Sequence, residues 1–519
     1  MNLTTDPWIP VLMRDGNARL VSLRGVFAEG ADIADLAVRP HERIALMRLI
    51  ICIAQAALDG PEDIEAWQSA PALLPAAAAE YLTRPEIAGA FNLFDPQRPF
   101  LQIAGLVQSG DKVKKEGPTS ASKLDFGLAT GNNSTLFDNA AASGHRVFPS
   151  AKLALELLAF QNFDVSGTIG VAVWSDTLTP KAANDGKGNA DHAPCLPRSM
   201  LHTFVRRENL LETIHANLLT KATIKHSYDR PWGQPIWERW PVAASDGANV
   251  ENATSTYLGR LVPLSRAILI HPNRRDIVLG NGLSYPAFTA EVPEFSAEPT
   301  ATVVPTSDKK GHRVLSGSSK AIWRELFGLT AIRHAGETGG ALALENLDTH
   351  RSFDIWVGAL LSEKGKGVVD GLESVCHIPA QMLTEAGRAE YDDEVKAAER
   401  KAKALGAAIV KWRELVDGAW PGKVKSDPKA RGKIQAAASR HYWSTVERSL
   451  SHLEKTITAE GEARDAARDA WRKVLRDAAL AAFELVCSRE TPRQLRAFAL
   501  GRAELFRKPK VTEETPDDE

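Results

Sequence analysis

The sequence predicts an α+β protein in which a large mixed α/β region is followed by a helical region. Strand and helix patterns alternate as far as Pro379. From 381 to 508 there is almost no strand pattern, proline occurs only at 421, 428 and 492, and Ala, Glu, Lys, Arg and Leu dominate. With 519 residues, 44% of them hydrophobic, the chain has room for two to four domains.

The first region starts with two short strands, at 8–11 and 18–21, joined by the turn signal Asp15-Gly16. Helices are expected at 41–59 and 75–89. The later predictions are a strand and turn at 91–102, a loop at 108–145, a helix at 152–163, a glycine-rich turn at 166–170, a polar segment at 179–194, strands within 257–305 and a helix at 318–326.

The second region predicts three or four long amphipathic helices, at 382–418, 427–456, 460–488 and 492–506. The breaks fall at 419–422 and at Thr491-Pro492, where proline interrupts the helical pattern. Antiparallel helices with short connections form a bundle. Residues 381–510 hold 27 Lys and Arg against 19 Asp and Glu, so this region is basic and the rest of the chain is acidic.

Composition indicates an ordinary intracellular protein. The net charge of −2 gives no nucleic-acid signal for the chain as a whole. The four cysteines, at 52, 195, 376 and 487, form no CxxC pair, so we expect no disulfide framework and a cytoplasmic location. No secretory pattern is visible at the N-terminus. The most apolar run, 44–58, is too short for a bilayer and is predicted to be a buried helix.

Common catalytic motifs are missing from the sequence. HExxH, GxSxG and the Walker A motif do not occur. His192 and Cys195, or Cys376 and His377, offer only half of a metal site, since structural zinc normally takes four ligands at recognisable spacings. We therefore expect no metal, no cofactor and no enzymatic activity.

The stretch TGNNSTLFDNAAASG, at 130–144, has neither helix nor strand periodicity and should be a loop. Its one aromatic residue, Phe137, is surrounded by amide and hydroxyl side chains. A loop with one ring and several amides suits a flat, polar ligand such as a nucleobase. The alternative is that Phe137 fixes the loop onto its own domain.

Several stretches, in order along nearly the whole chain, resemble the large-subunit family (CasA) of the type I-E CRISPR surveillance complex, Cascade. They are NLTTDPWIPV at 2–11, FNLFDPQRPFLQ at 91–102, TGNNSTLFDN at 130–139, DRPWGQPIWE at 229–238, LLSEKGKGVVDGLESVCHIP at 360–379 and RHYW at 440–443. No single stretch is decisive; the order and spacing carry the resemblance.

The resemblance implies a mixed α/β domain at 1–379 with RNA-handle and PAM-contacting loops and a C-terminal all-α four-helix bundle at 380–508. The acidic composition of the tail predicts disorder at 509–519. The resemblance also implies a non-catalytic subunit that recognises the protospacer-adjacent motif (PAM) of target double-stranded DNA, helps to unwind it for R-loop formation and recruits a helicase–nuclease. In such complexes base pairing reads the sequence and the protein reads PAM and shape. The implied partners are CRISPR RNA, target DNA, the helicase–nuclease and the other Cascade subunits (backbone, small-subunit dimer and handle-binding subunit).

The resemblance assigns the loop at 130–144 to the handle of the CRISPR RNA. Phe137 would stack on a splayed base, which is worth roughly 1–3 kcal/mol. Asn139 would bind a base edge or the backbone, and Asn133 would belong to the same contact. Asp138, a poor phosphate ligand, would accept from a base amine or cap the following turn.

The PAM and wedge assignments also come from the resemblance. The glycine-rich loop, with Gly167 and Gly170, would enter the minor groove, where a Cβ would clash and where the base code is degenerate. The alternative is an ordinary turn after a helix. Contacts near the first unpaired bases are assigned to a hairpin tip, with Glu363, Lys364 and Gly365 at the PAM and Lys364, Gly365 and Lys366 as the wedge.

Two departures from the family pattern bear on PAM preference. Many members carry Gln-Ala where this chain has Lys364-Gly365, and GNGLSYPAF lacks a lysine that some members direct at the PAM. Asn281 lies in that stretch, but the resemblance does not transfer the role to it. Cysteine pairs that bind zinc in some members are also absent.

Two other functions remain open at this point. One is a pure scaffold that never touches DNA, in which the wedge tip is a solvated turn and the basic helices only contact other subunits. The other is a metal-dependent nuclease, against which the missing motifs argue. The basic helices would otherwise follow a nucleic-acid backbone with strongly salt-dependent binding.

Overall fold

The computed structural model describes residues 1–109, 119–127, 146–165, 169–179, 193–228, 230–285, 298–305, 312–318, 320–331, 339–348, 350–362, 368–418 and 428–506. The chain divides into two compact units, Met1–Ile378 and Pro379–Glu519. The first is mixed α/β and the second is helical wherever it is described, which confirms the predicted fold class. None of the described helices combines the length and apolar content needed to cross a membrane.

The strands of the first unit form small antiparallel sheets, ordered β2-β1-β3, β5-β10-β9, β11-β12, β14-β13-β8 and β4-β6-β7. Their bounds are β1 Ile9–Met13, β2 Ala18–Val21, β3 Ile33–Leu36, β4 Val107–Gln108, β5 Thr119–Ser120, β6 Ala172–Trp174, β7 Thr177–Leu178, β8 His202–Arg206, β9 Arg266–Ile270, β10 Asp276–Asn281, β11 Val303–Pro305, β12 His312–Val314, β13 Phe353–Ser362 and β14 Val368–Ile378.

The first unit contains ten described helices, and several of them pack against α2. They are α1 Leu23–Ala28, α2 Pro40–Leu58, α3 Ile64–Tyr81, α4 Pro85–Ala90, α5 Ser150–Phe163, α6 Leu210–Ala216, α7 Lys221–Thr223, α8 Gly247–Ser255, α9 Tyr257–Leu261 and α10 Leu326–Leu329. α2 is apolar on nearly all sides and packs against α3, α5, α9 and the β13–β14 sheet. A helix buried all round needs no polar face, which confirms the prediction of a buried helix here.

The second unit contains α11 Glu385–Asp417, α12 Pro428–Glu447, α13 Leu450–Thr458, α14 Gly461–Val486 and α15 Pro492–Leu505. α11 packs against α12, α14 and α15. Buried aromatic and aliphatic side chains fill the space between them, among them Trp412, Tyr442, Trp471 and Phe483. The predicted helix at 427–456 is interrupted before Ser449, so α12 and α13 are separate.

Three predictions at the level of elements are wrong. The strand predicted within 91–102 is absent, because these residues form turns and one isolated bridge, Asn2 with Asn92. The segment YLGRLVPL, predicted as a strand, starts as helix α9, because Thr256 caps it by accepting a hydrogen bond from Gly259 N. The predicted helix at 75–89 is the end of α3 followed by α4, with the break before Pro85 at the α4 N-terminus. Strands β13 and β14 are present without having been predicted.

Candidate nucleic-acid interface

Most of the predicted contact residues lie outside the described residues. This holds for Asn133, Phe137, Asp138 and Asn139 in the handle loop, for Gly167, and for Glu363, Lys364, Gly365 and Lys366 at the hairpin tip. Gly170 is described. The structure therefore shows the residues that flank these segments, called here their roots, and the side chains that contact those residues.

An ion-pair cluster holds the root of the handle loop. Arg39, immediately before α2, donates to Asp125 Oδ1 at 2.7 Å and to Glu156 Oε1 on α5 at 2.6 Å. The same side chain donates to Glu42 one turn along α2. Arg39 thus joins the start of α2, the chain that enters the loop and the helix that follows it. A guanidinium suits this role because its planar fork presents several donors at once.

The last described residue before the loop, Gly127, is fitted closely to this cluster. Its N–H donates to Asp125 Oδ1 at 2.9 Å. A Cβ at this position would lie 2.6 Å from Arg39 Nη1, closer than a carbon can approach. Any other residue would therefore displace the guanidinium from its carboxylates.

Burial and charge act differently on the three buried groups of the cluster. Burial alone would raise the pKa of the Asp125 carboxyl, but hydrogen bonds from Lys152 and Arg39 outweigh it and lower the pKa. Burial and the Asp125 charge raise the pKa of Glu156 to about 8. Burial and the nearby Arg39 lower the pKa of His41 to about 4. The group is a compact, partly compensated set of charges behind the loop.

The turn between β9 and β10 provides a second support for the loop roots. Phe148 N, after the handle loop, donates to Arg274 O at 3.1 Å, and Ala121 N, before it, donates to Arg275 O at 2.7 Å. Arg274 has a left-handed backbone with φ of 56°. This turn therefore sits between the two ends of the loop.

The same turn places basic side chains at the loop roots. Arg275 and, across from it, Arg146 are exposed, and neither they nor Arg274 forms an ion pair with another described residue. Such cations suit phosphate groups. They were not among the residues predicted from the sequence, although Arg274-Arg275 in a turn between two apolar strands is a recognisable signal.

Gly170 has a structural reason to be glycine. A Cβ there would lie 2.5 Å from Gln108 Nε2, which donates to Val171 O at 2.9 Å. The packing of Gln108 thus explains this glycine without DNA. Asn281, in the stretch that lacks the family's lysine, ends strand β10 and is only 4% exposed.

The predicted wedge stands at the end of a long hairpin. β13 and β14 are paired from Phe353–Ile378 to Ser362–Val368, which leaves five residues, 363–367, for the tip. The root is fixed by Ser199, whose Oγ accepts from Ser362 N at 2.9 Å and whose carbonyl accepts from Gly317 N at 2.7 Å. The preceding residue, Arg198, is exposed and has a left-handed backbone conformation, with φ of 57°. The described part of the hairpin is thus a two-stranded antiparallel arm whose end is fixed by Ser199.

Comparisons with known proteins agree with this architecture. The model of the CRISPR-associated protein Cse1 family matches residues 2–482. The chain belongs to the Cse1 family. A CRISPR-associated protein CasA/Cse1 from Thermus thermophilus is 27% identical over 508 residues, covering 93% of this chain and 91% of that protein.

Solved structures of the Cse1 family share the fold. The crystal structure of Thermobifida fusca Cse1 matches with a TM-score of 0.74 and 21% identity, over 97% of each chain. A chain of a CRISPR RNA-guided surveillance complex matches with a TM-score of 0.69 and 18% identity, over 98% of this chain and 99% of that one. This chain therefore has the fold of these solved structures.

The charges of the helical unit are partly neutralised within it. Arg468 pairs with Glu390, and Arg472 donates to Glu394 at 2.8 Å, which ties α14 to α11. α12 is different, because it has no acidic residue before Glu447, its last position. Its cations Lys433 and Arg440 are exposed and form no ion pair with another described residue. α12 is the most one-sided basic element in this part of the chain.

Proposed function

We propose that this chain is the large subunit of an RNA-guided CRISPR surveillance complex, where it recognises the PAM of target duplex DNA, helps to open the duplex and recruits a helicase–nuclease. The observation that carries the proposal is the Cse1 family match over residues 2–482. The likeness to a chain of a CRISPR RNA-guided surveillance complex supports an assembly with CRISPR RNA and other subunits. Cleavage would belong to the recruited nuclease.

The loop roots support contact with the RNA handle. Arg146 is the first described residue after the loop that carries Phe137 and Asn139, and the backbone of Arg274 and Arg275 binds the chain on either side of it, so a phosphate backbone would meet positive charge there. In this proposal the cations position the RNA, Phe137 stacks on a base and the amides bind base edges or backbone. The Arg39 cluster holds the loop root in place.

The β13–β14 hairpin supports the proposal that its tip is the wedge. The tip at 363–367 contains two lysines, two glycines and one glutamate, so it carries a net positive charge and two positions without a side chain. Inserting it between base pairs would cost a few kcal/mol of unstacking, which new phosphate contacts would offset. Glu363, Lys364 and Gly365 would contact the PAM, together with the glycine-rich loop at Gly167. Gly170 is better explained by its packing on Gln108 than by DNA.

The first experiment is a gel shift at controlled salt with the guide-loaded complex, assembled with and without this chain. The probes are matched duplexes with a randomised PAM. We expect PAM-selective binding only when the chain is present. Unchanged selectivity without the chain would refute PAM recognition and leave the scaffold alternative.

A second experiment separates wedge from scaffold. Lys364→Glu with Gly365→Val puts a bulky, acidic tip on the same hairpin, and we expect the complex to assemble but to lose R-loop formation on duplex DNA. A bubble substrate, already open at the first base pairs, should restore binding. A scaffold would show no difference between the two substrates. A divalent-metal-dependent cut by the purified chain would instead favour the nuclease alternative.

A further inference from the structure

His41 is a buried imidazole with an unused nitrogen. It lies in the first turn of α2 and is 4% exposed. Phe126 and Phe163 meet its ring edge-on, at centroid distances of 5.5 and 6.3 Å. Its Nε2 is buried and has no hydrogen-bond partner among the described residues. A buried polar atom without a partner needs an explanation, such as a water or an ion.

Glu156 presents a second unused atom at the same place. Its Oε1 accepts from Arg39, whereas its Oε2 is buried and has no partner within the described part of the chain. His41, Glu42 and Glu156 each offer a ligand atom within 4.8 Å of the other two. All three side chains are more than nine-tenths buried. Helices α2 and α5 thus bring an imidazole and two carboxylates close together.

Carboxylates and cations already pair with one another around these three side chains. Glu42, Asp125 and Glu156 contribute three carboxylates, while Arg39 and Lys152 contribute two positive charges. A bound dication would compete directly with the Lys152 ammonium, which lies 2.6 Å from Asp125 Oδ2 and 3.9 Å from Glu156 Oε1.

We propose that His41, Glu42 and Glu156 bind a divalent transition-metal ion of the Zn²⁺ type behind the handle loop. Imidazole together with carboxylates suits Zn²⁺ and its neighbours in the first row, whereas Mg²⁺ and Ca²⁺ take oxygen ligands alone. The ligand atoms must draw together from within 4.8 Å to about 3.3 Å for tetrahedral bonds of ordinary length. Water completes the coordination.

The candidate ligands of this site are not spaced along the sequence as they are in known metal-binding motifs. His–Cys spacings in the sequence indicated no metal site. Here His41 and Glu42 are adjacent and Glu156 is more than a hundred residues away. The ion would clamp the start of α2 to α5, next to the root of the loop at 128–145. It does not depend on the proposed function, because neither RNA nor DNA takes part.

The test is metal binding by the purified full-length chain. A Cys376→Ser background removes the one cysteine that is not fully buried. After chelator treatment, Zn²⁺ is titrated against a chromophoric competitor, and bound metal is counted by mass spectrometry. We expect one Zn²⁺ per chain and no competition from Mg²⁺. His41→Gln and Glu156→Gln should each weaken binding at least tenfold, as loss of a direct ligand requires.

A third variant keeps the test decisive if those two fail to fold. Lys152→Met removes the competing ammonium but leaves all three ligands, so Zn²⁺ should bind more tightly, by roughly tenfold. His271→Gln, at an exposed histidine in the same unit, is the matched control and should change nothing. The proposal is overturned if the Cys376→Ser chain binds no stoichiometric Zn²⁺, or if the affinity is the same in the His41, Lys152 and control variants.

Discussion

Glu298 shows how a single buried charge organises the first unit. It is 2% exposed and lies between two arginines that are themselves buried, Arg48 on α2 and Arg260 on α9. Arg48 Nη2 donates to Glu298 Oε2 at 2.7 Å, and Arg260 Nε donates to Oε1 at 3.0 Å. Burying three charges is costly, and the cost is tolerable only because each finds a partner. The triad joins two helices to the chain segment that carries Glu298.

Replacing Glu298 with Gln should destabilise the chain strongly. The side chain keeps its shape, but two buried guanidinium groups lose their counter-charge, for which about 3–5 kcal/mol is typical. The thermal midpoint of the first unit, followed by calorimetry, should fall accordingly. Glu208→Gln, at an exposed acid in the same unit, should stay within about 0.5 kcal/mol of the original. Equal midpoints for the two variants would show that the triad contributes nothing net.

The same residue predicts an acid dependence. Burial alone would raise the pKa of Glu298, but Arg260 and Arg48 outweigh it and hold the pKa below the usual 4.5. Its stabilising contribution is therefore complete above pH 4.5 and is lost as the pH falls through the folded-state value. Between pH 5 and about pH 3, the unfolding midpoint should drop less in Glu298→Gln than in the unmodified chain. Parallel pH curves would contradict this assignment.

At the scale of elements, the sequence predicts those helices and strands whose pattern of apolar residues lies within the element itself. The prediction for α2 is right to within a residue at each end because its apolar run is long and continuous. The hairpin β13–β14 is not among the predicted strands, although β13 coincides with a mainly apolar run at 353–362 that could have indicated it. The strand prediction for 257–264 is wrong because the spacing of its apolar residues fits a helix as well as a strand. The N-cap residue Thr256 is what indicates a helix.

The loop root could not be predicted from the sequence. Gly127 is recognisable as a turn residue from the sequence. The reason that no larger residue fits there is the contact with Arg39, which is distant in the sequence and close only in the folded chain. The same is true of Glu156, whose environment is set by two other segments, the start of α2 and the chain at Asp125. Long-range contacts of this kind decide which loop residues are fixed, and no local pattern records them.

Two glycine substitutions should have opposite effects on stability. Gly127→Ala places a Cβ 2.6 Å from Arg39 Nη1 and forces the guanidinium away from Asp125, at a cost of about 1–3 kcal/mol. Gly89→Ala, in helix α4, meets no atom within 4 Å and should stabilise by about 0.5–1 kcal/mol. Urea denaturation of both variants measures the difference. A neutral Gly127→Ala would show that Arg39 moves freely and does not fix the loop.

At the scale of the whole molecule, charge is divided unevenly along the chain. The net charge is only −2, yet residues 381–510 carry eight more basic than acidic residues. Intramolecular ion pairs use part of this excess, as between α14 and α11. The remainder is most concentrated on α12, a helix with no acid before its last residue. An overall charge near zero therefore conceals an element suited to a phosphate backbone.

This distribution predicts the salt dependence of DNA binding by the assembled complex. Lys433→Gln with Arg440→Gln removes two exposed cations from α12, and each phosphate that is no longer neutralised should reduce the slope of log K against log salt by about 0.9. The control is Lys473→Gln with Arg413→Gln, which removes the same charge from side chains already paired with Asp477 and Asp417. Gel shifts at several salt concentrations should show a reduced slope for the α12 variant only. Equal reductions would mean that net charge, and not the binding of phosphates by α12, governs the salt dependence.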